Sequence, residues 1–294
     1  GIRDGQNINY SKLSRSNLPI PPLPEQRRIA RFLDTVTDRT DRLIRAKEQL
    51  IELLEEQKQA IIQQAVTRGL DPDVEMKDSG VDWLGEVPAH WEMRRMRTLL
   101  RDIEQGVSPQ SENRLADANS WGVLKAGCVN GGVFHETEHK RLPPNFTIEH
   151  SIVVHEGDVL MSRASGSPEL VGSVARVQEL NYNLILSDKT FRLVFKDPRY
   201  ADFLVAAMAA PYYRDQVELG ISGAEGLANN LSKQEFKDFR ILLPPLDEAR
   251  IIAEQLKRQF SSIEATIERA QSEITLIREY RTRLIADVVT GKLD

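Results

Sequence analysis

Cysteine is almost absent from this sequence, since Cys128 is the only one among 294 residues. A single cysteine excludes an internal disulfide and is typical of a reducing compartment, so we expect a cytoplasmic protein. No apolar run approaches the roughly 20 residues of a membrane-spanning helix, and the N-terminus lacks a basic region followed by an apolar core. With 40% hydrophobic and 28% charged residues, the composition predicts a soluble globular chain without membrane contact.

An excess of positive charge is also absent, because the formal net charge is −5. Proteins that bind nucleic acid through bulk electrostatics carry the opposite sign. If this chain contacts DNA, a local cluster of cations and polar contacts with base edges must provide the binding.

Sequence motifs for catalysis are scarce. Neither a G-x-G-x-x-G after a strand nor a G-x-x-x-x-G-K-[ST] occurs, so dinucleotide and P-loop binding have no support. His135–His139 matches H-E-x-x-H, but that zinc-protease motif requires a helix that projects both imidazoles from one face. Gly131-Gly132 before it and Pro143-Pro144 after it leave little room for a helix. We interpret the match as a charged loop or strand, and the chain as non-catalytic and without a metal or cofactor of its own.

One long segment is present twice. Ile20–Asp71 and Leu243–Asp294 align without a gap, with every pair of aligned residues 223 positions apart. Both copies begin with two prolines and a leucine and end in V-T-x-x-L-D. A duplicated long element indicates two copies that pack on each other or perform the same task at two places.

Each copy has the pattern of a long helix with an apolar stripe. Glu25 to about Val66 contains neither glycine nor proline, and its apolar residues recur in steps of three and four. We predict that the two helices pack on one another. The residues assigned to this packing are Ile29, Leu33, Val36, Leu43, Leu50, Leu54 and Ile61 in the first copy and Ile252, Leu256, Ile263, Ile277 and Leu284 in the second. A second stripe, which includes Phe32, Ile44 and Ile51 in the first copy and Ile285 in the second, widens the apolar face.

The residues between the copies have a different pattern. Short β-like runs separated by turn residues are predicted at 121–126, 131–135, 151–155, 158–162, 170–177 and 183–195. A helix interrupted at Pro211, a capping box beginning at Ser232 and a strand at 241–243 follow. The fold class is therefore α+β, with a mixed domain between two long helices.

A loop after one predicted strand is the leading candidate for DNA contact. It places Arg163 among Ser162, Ser165 and Ser167, and an arginine there can present two donors to a base edge or a phosphate. Secondary candidates are Lys125, Asn130, Arg141, Ser108, Lys189, Asn229 and Asn230.

These features together resemble one family, the specificity (S) subunits of type I restriction-modification enzymes. The resemblance rests on the proline pairs, the duplicated helices, the entry G-x-V-P-x-x-W at Gly85–Trp91, and the strings Trp121–Gly127, Gly157–Ala164 and Glu169–Gly172. It implies a mixed α/β target recognition domain flanked by two long helices that form an antiparallel coiled coil.

The resemblance also implies a domain organisation. Residues 1–23 would be the C-terminal remnant of a preceding recognition domain, and 24–70 the first conserved helix. Residues 71–245 would be the recognition domain, and 246–294 the second helix. Because family members usually carry two recognition domains, we expect a fragment or a half-subunit that forms a homodimer.

The implied function is to recognise one half of a bipartite site in double-stranded DNA and to dock modification (methyltransferase) subunits, and through them the restriction subunit. S-adenosylmethionine and Mg-ATP would belong to those partners. Two alternatives stay open, namely a coiled-coil assembly protein without DNA readout and a zinc protease.

Overall fold

A computed structural model describes residues 20–81, 84–221 and 229–292. The helices are α1 (Leu23–Arg68), α2 (Met96–Leu99), α3 (Ala201–Ala207), α4 (Pro211–Gly220), α5 (Lys233–Asp238) and α6 (Leu246–Val289). The strands are β1 (Met76–Asp78), β2 (Glu86–Pro88), β3 (Glu92–Arg95), β4 (Leu100–Gln105), β5 (Trp121–Leu124), β6 (His139–Arg141), β7 (Val159–Ser162), β8 (Ala164–Ser165), β9 (Val174–Arg176), β10 (Asn183–Ile185), β11 (Thr190–Phe195), β12 (Asn229–Asn230) and β13 (Arg240–Leu243). Residues 1–19, where the remnant of a preceding domain is predicted, lie outside this description. None of the described helices is long and apolar enough to cross a bilayer.

The two long helices have the bounds that their sequences predict. α1 begins directly after the first proline pair and ends before Gly69, whose φ of 74° suits the left-handed position that follows a helix C-terminus. α6 begins directly after the second pair. Pro244 and Pro245 separate β13 from α6, and the glycine-free, proline-free interior of α1 allows that helix to run without interruption.

The helices pack antiparallel. Asp41 accepts a hydrogen bond from Arg281 at 2.5 Å, and Lys47 pairs with Glu273. Further along, the Lys58 ammonium lies 5.2 Å from the centre of the Phe260 ring. The partner's number falls as the number on α1 rises, which only an antiparallel pair produces. The antiparallel pairing implied by the resemblance is confirmed.

The seam on α1 differs from the predicted one. Leu43 and Leu50 are 47% and 41% exposed, whereas Ile44 is 7% exposed and Ile51 is half-buried. Assigning Leu43 and Leu50 to helix packing is therefore corrected. Neighbouring helix positions differ by only about 100° of rotation, so two adjacent apolar stripes compete for the same seam.

The second stripe and the remaining packing residues also differ in burial. Phe32 and Ile285, from the second stripe, are exposed as well. The other residues assigned to packing are buried or half-buried, namely Ile29, Leu33, Val36, Leu54, Ile61, Ile252, Leu256, Ile263, Ile277 and Leu284.

The chain forms two compact units. One comprises the chain up to Glu55 together with the chain from Ser262 onward, and the other comprises Glu56–Ser261. In the second unit, Ile62, Val66, Ile252 and Leu256 join the main apolar core of the domain. The domain boundaries given above stay a prediction.

The domain contains a four-stranded sheet of order β4-β11-β7-β9 and a three-stranded sheet of order β10-β5-β6. Most of the predicted strands are found, and so are the helix break at Pro211 and the Ser232 capping box. The strands predicted at 131–135 and 151–155 are wrong. Gly131 and Gly132 end a 3-10 segment, Ala126–Gly132, and both adopt positive φ, which interrupts an extended strand. His150–Ile152 is a second 3-10 segment.

The four-stranded sheet separates two apolar cores. Along β7, Val159 and Met161 join the core that also contains α3 and α4, whereas Leu160 joins the core beneath the three-stranded sheet. This alternation is the period of two that a strand imposes on its side chains. Because both faces of β7 are buried, the loop that follows it has a rigid base.

The G-x-V-P-x-x-W entry is an anchor for α6. Trp91 is fully buried, and its Nε1–H donates to Glu248 Oε1 at 3.0 Å. His90 Nε2 lies 2.7 Å from the other carboxylate oxygen. Glu248 lies in the first turn of α6, so these contacts fix the start of that helix to the domain.

Candidate nucleic-acid interface

Four separate chain segments meet at the loop that contains Arg163. The loop continues from β7 into β8, which pairs antiparallel with β12 so that Ser165 lies opposite Asn229 and Ala164 lies opposite Asn230. The Arg163 N–H donates to the Lys189 carbonyl at 2.9 Å. The Ser108 hydroxyl contacts the Asp188 carboxylate. We name Ser108, Arg163, Ser165, Ser167, Lys189, Asn229 and Asn230 the Arg163 group.

Contacts with Phe191 and with the Asp188 carbonyl hold the Arg163 side chain in place. Its guanidinium carbon lies 5.5 Å from the centre of the buried Phe191 ring, and its Nη1 donates to the Asp188 carbonyl at 3.3 Å. The Nε of Arg163 is buried and has no hydrogen-bond partner among the described residues. An aromatic face attracts a cation and restricts its rotamers, so the guanidinium is preorganised at the domain surface.

Lys233 belongs to the same arrangement, although the sequence did not indicate it. Its ammonium lies 5.6 Å from the centre of the Phe191 ring and donates to the Ile103 carbonyl at 2.7 Å. Gln105 donates to the same Asp188 carbonyl at 2.8 Å that Arg163 uses. These contacts join residues that are tens of positions apart, so no local pattern could have found them.

One predicted contact residue is not on the surface. Ser162 is fully buried, and its hydroxyl has no partner among the described residues. It lies in β7, whose side chains are all buried, and β7 ends at that residue. Direct contact of the Ser162 side chain with DNA is therefore corrected, and the surface role passes to Arg163 and the residues after it.

A second group of predicted residues lies on the three-stranded sheet. Lys125 forms an ion pair with Glu138 at 3.4 Å, and Arg141 forms one with Asp117 at 3.0 Å. Hydrogen bonds from the Ser120 side chain and the Asn119 backbone, with Arg141 nearby, lower the pKa of Asp117. Asn130 lies in the 3-10 segment after β5, and its Oδ1 is buried without a hydrogen-bond partner among the described residues. Because both cations already have carboxylate partners, they are less available for phosphate than Lys189, whose side chain is exposed.

The H-E-x-x-H string does not have the geometry of a metal site. His139 is buried, its Nδ1–H donates to the Glu136 carbonyl at 2.5 Å, and its Nε2 accepts the Ala116 N–H at 2.8 Å. His135 Nε2 lies 3.1 Å from the Asn130 carbonyl. The two histidines lie in a turn and a strand, so they do not share a helix face. The described residues contain no cluster of ligands suited to a metal ion.

The N-terminal part of the chain matches a model of a known protein family. Residues 3–53 match the family described as "Type I restriction modification DNA specificity domain". The type I restriction enzyme EcoKI specificity subunit of Escherichia coli K12 is 23% identical over 98% of this chain and 61% of that protein. The MjaVIII specificity subunit of Methanocaldococcus jannaschii is 26% identical over 94% of this chain and 62% of that protein. The chain thus spans about three fifths of the length of these relatives.

Solved structures share the fold. A chain from a study described as "Structural basis underlying complex assembly and conformational transition of the type I R-M system" matches with a TM-score of 0.64 and 18% identity, over 97% of this chain and 64% of that one. The type I restriction-modification S subunit from M. genitalium matches with a TM-score of 0.50 and 14% identity, over 96% of this chain and 66% of that one. The resemblance inferred from the sequence is confirmed, since the chain is similar over nearly its whole length to specificity subunits of type I restriction-modification systems.

Proposed function

We propose that this chain is a DNA-specificity subunit whose domain, residues 71–245, reads one half of a bipartite site in double-stranded DNA. The observation that carries the proposal is the convergence of the Arg163 group, in which four chain segments present hydrogen-bonding side chains on one surface. Arg163 is preorganised there by Phe191 and the Asp188 carbonyl. A guanidinium presented in this way is suited to a guanine edge, where arginine is the commonest specific contact.

The net charge of −5 supports base readout over bulk electrostatic binding. Contacts with phosphate position a protein on DNA, whereas contacts with base edges carry the specificity. An acidic chain with a small cationic surface gains little non-specific affinity, so discrimination between sequences depends on the local contacts.

Arg163→Ala tests this proposal directly. We expect the complex of the chain with its modification subunit to lose about 1–3 kcal/mol of discrimination between its preferred duplex and a scrambled one. That corresponds to roughly 5- to 150-fold in the ratio of the two dissociation constants. Fluorescence anisotropy with the two duplexes at fixed salt measures this ratio.

Arg199→Ala is the matched control, because Arg199 is exposed and pairs with Asp197 within its own turn. It should leave the ratio unchanged. A wild-type ratio near one would favour the assembly protein without DNA readout, whereas an Arg163→Ala ratio equal to that of a discriminating wild type would exclude Arg163 as the residue that reads the bases.

We also propose that exposed apolar residues of the coiled coil dock the modification subunits. Leu43, Leu50 and Leu53 form an exposed row on α1, and Leu276 and Tyr280 are exposed on α6. The ion pairs Asp41–Arg281 and Glu48–Arg278 place the α1 and α6 rows at the same level of the coil. Exposed apolar rows of this kind are typical of an interface.

The double substitution Leu43→Ser, Leu50→Ser should weaken binding of the modification subunit at least tenfold, since a loss of about 1.4 kcal/mol is sufficient. Unfolding of the free chain should change little, because both side chains are exposed. Ile44→Ala is the contrast, since it truncates a seam residue and should destabilise the coil by about 2 kcal/mol. Calorimetric titration and chemical denaturation separate the two effects. Unchanged affinity in the double variant would contradict docking at this row.

We further propose that a second recognition domain, from another copy of the chain or another protein, packs on Ile285 and Val289 of α6. Val66 is fully buried, whereas its repeat counterpart Val289 is 50% exposed, and Ile62 and Ile285 differ in the same way. Equivalent residues that are buried by a domain in one copy are suited to burial by an equivalent domain in the other.

The chain itself is proposed to be a non-catalytic, cytoplasmic subunit, with S-adenosylmethionine and Mg-ATP bound by the modification and restriction subunits. Both ring nitrogens of His139 are engaged with backbone groups, which is unfavourable for the zinc-protease alternative. The lone thiol of Cys128 is buried, and burial raises its pKa to about 12, so it is not a ready nucleophile.

A further inference from the structure

Two arginines lie directly opposite each other on a short ladder outside the Arg163 group. β3 and β13 pair antiparallel, and their register places Arg95 opposite Arg240. Both side chains are exposed. Opposite residues in an antiparallel pair lie on the same face within about 5 Å, and like charges in that position destabilise the pair. Such a pair of like charges is tolerated when a carboxylate or another anion nearby compensates the positive charge.

Among the described residues, one carboxylate, that of Asp238, forms ion pairs beside these two arginines, and two cations share it. Asp238 lies 3.4 Å from an Arg95 nitrogen and also contacts Arg97, while its second oxygen accepts from Gln234 at 3.2 Å. Lys237 precedes Asp238 on α5. Neither Arg240 nor Lys237 has an ion-pair partner within the described part of the chain. We name Arg95, Arg97, Lys237 and Arg240 the arginine patch, which carries four cations against one carboxylate on a chain of net charge −5.

Helix α5 connects the patch to the Arg163 group. Lys233, at its first position, shares the Phe191 ring with Arg163, whereas Asp238, at its last position, contacts the patch. Five helical steps of about 1.5 Å separate the two ends by about 8 Å. Lys233 and Lys237 are four residues apart and therefore lie on the same helix face. Lys233 and Lys237 on α5 thus connect the Arg163 group with the arginine patch as a continuous row of cations.

We propose that the arginine patch binds the phosphate backbone of the DNA whose bases the Arg163 group reads. The inference rests on the proposed function and adds a contact surface to it. A separation of about 8 Å corresponds to about two steps along a DNA strand, at 3.4 Å each. Because Lys233 at one end of α5 shares the Phe191 ring with Arg163, and Asp238 at the other end contacts Arg95, we infer that a strand held at Arg163 also reaches the patch. Guanidinium groups match phosphate oxygens through paired hydrogen bonds, and an exposed, undercompensated cluster retains charge for them.

The double substitution Arg95→Gln, Arg240→Gln tests the proposal in the complex with the modification subunit. Each lost phosphate contact should reduce the slope of log affinity against log salt by about 0.9, so the double variant should lose about 1.8. Affinity for the preferred and the scrambled duplex should fall by the same factor, because phosphate contacts carry no sequence information. Arg95→Lys should keep most of the slope.

The matched control is Arg258→Gln, Arg283→Gln, which removes the same charge from exposed positions on α6 whose partners lie one helical turn away. It should leave the slope within about 0.3 of the wild type, since a distant charge makes no phosphate contact. If the wild type discriminates between duplexes and the patch variant keeps its slope, the patch proposal is wrong and the proposed function stands. Weaker association with the modification subunit at an unchanged slope would instead assign the patch to a protein partner. If the wild type itself does not discriminate, the proposed function fails.

Discussion

Arg192→Ala is expected to lower the free energy of unfolding by about 2–4 kcal/mol, near the lower end of the range for breaking a buried ion pair from one side, because the side chains of Arg192, Asp158 and Glu104 are 11%, 19% and 34% exposed. Arg192 lies on β11 directly opposite Glu104 on β4. Its guanidinium donates to Glu104, to Asp158 at 3.0 Å, and to the carbonyls of Val153 and Ser151 at 2.6 Å each.

Burial works against the charge of Arg192, but Asp158 and Glu104 outweigh it and raise the pKa of the guanidinium. Alanine would leave two carboxylates and two carbonyls without their donor in a partly buried site, where a polar group that lacks a hydrogen-bond partner lowers stability. Arg192→Lys keeps the charge but cannot reach all four acceptors, so its loss should be smaller.

Urea denaturation measures the effect, and Arg199→Ala provides the comparison. Arg199 pairs with Asp197 on the surface, and removing such a pair costs at most about 1 kcal/mol. If Arg192→Ala costs no more than Arg199→Ala, the hydrogen bonds of Arg192 do not stabilise the contact between the four-stranded sheet and residues 151–158.

Gly106→Ala is expected to cost about 3 kcal/mol or more, at or above the upper end for overpacking. A Cβ at this position would lie 1.9 Å from the Leu186 carbonyl oxygen. The contact is with main chain, so no side-chain rotation can relieve it. Gly106 and Val107 donate to the carbonyls of Ser187 and Leu186, and this close approach holds the 106–108 segment beside Asp188.

Gly166→Ala is the matched control, since a Cβ there meets nothing within 4 Å and its φ is not positive. It should change stability by less than about 0.5 kcal/mol. Because Ser108 follows Gly106, the Gly106 variant should also weaken discrimination between duplexes if it folds. Equal stability of the two variants in the same denaturation experiment would contradict the close approach at Gly106.

Elements specified by local sequence could be predicted. Pro21, Pro22 and the uninterrupted helix formers after them set the bounds of α1, and the Ser232 capping box sets the start of α5. Three strands of the four-stranded sheet, β7, β9 and β11, lie within apolar runs bounded by turn residues and are predicted, whereas β4 is not. In each case the determining residues lie within a few positions of the element.

Features that depend on contacts between residues far apart in the sequence could not be predicted. The α1 seam uses Ile44 rather than Leu43, although both belong to apolar stripes, because the choice depends on the partner helix. The Arg163 loop was found as a candidate, but its support by Phe191, Lys233 and Gln105 depends on strand pairing that single-sequence patterns do not encode. The arginine patch depends on the β3–β13 register for the same reason.

Selection from a pool of random duplexes by the complex of this chain with its modification subunit shows whether residues 71–245 read DNA sequence. We expect sequencing of the bound fraction to find one short, fixed motif, and we expect Arg163→Ala to lose preference at a position within it. Retained binding with no enriched motif in the wild-type complex would contradict the claim that this domain reads DNA sequence.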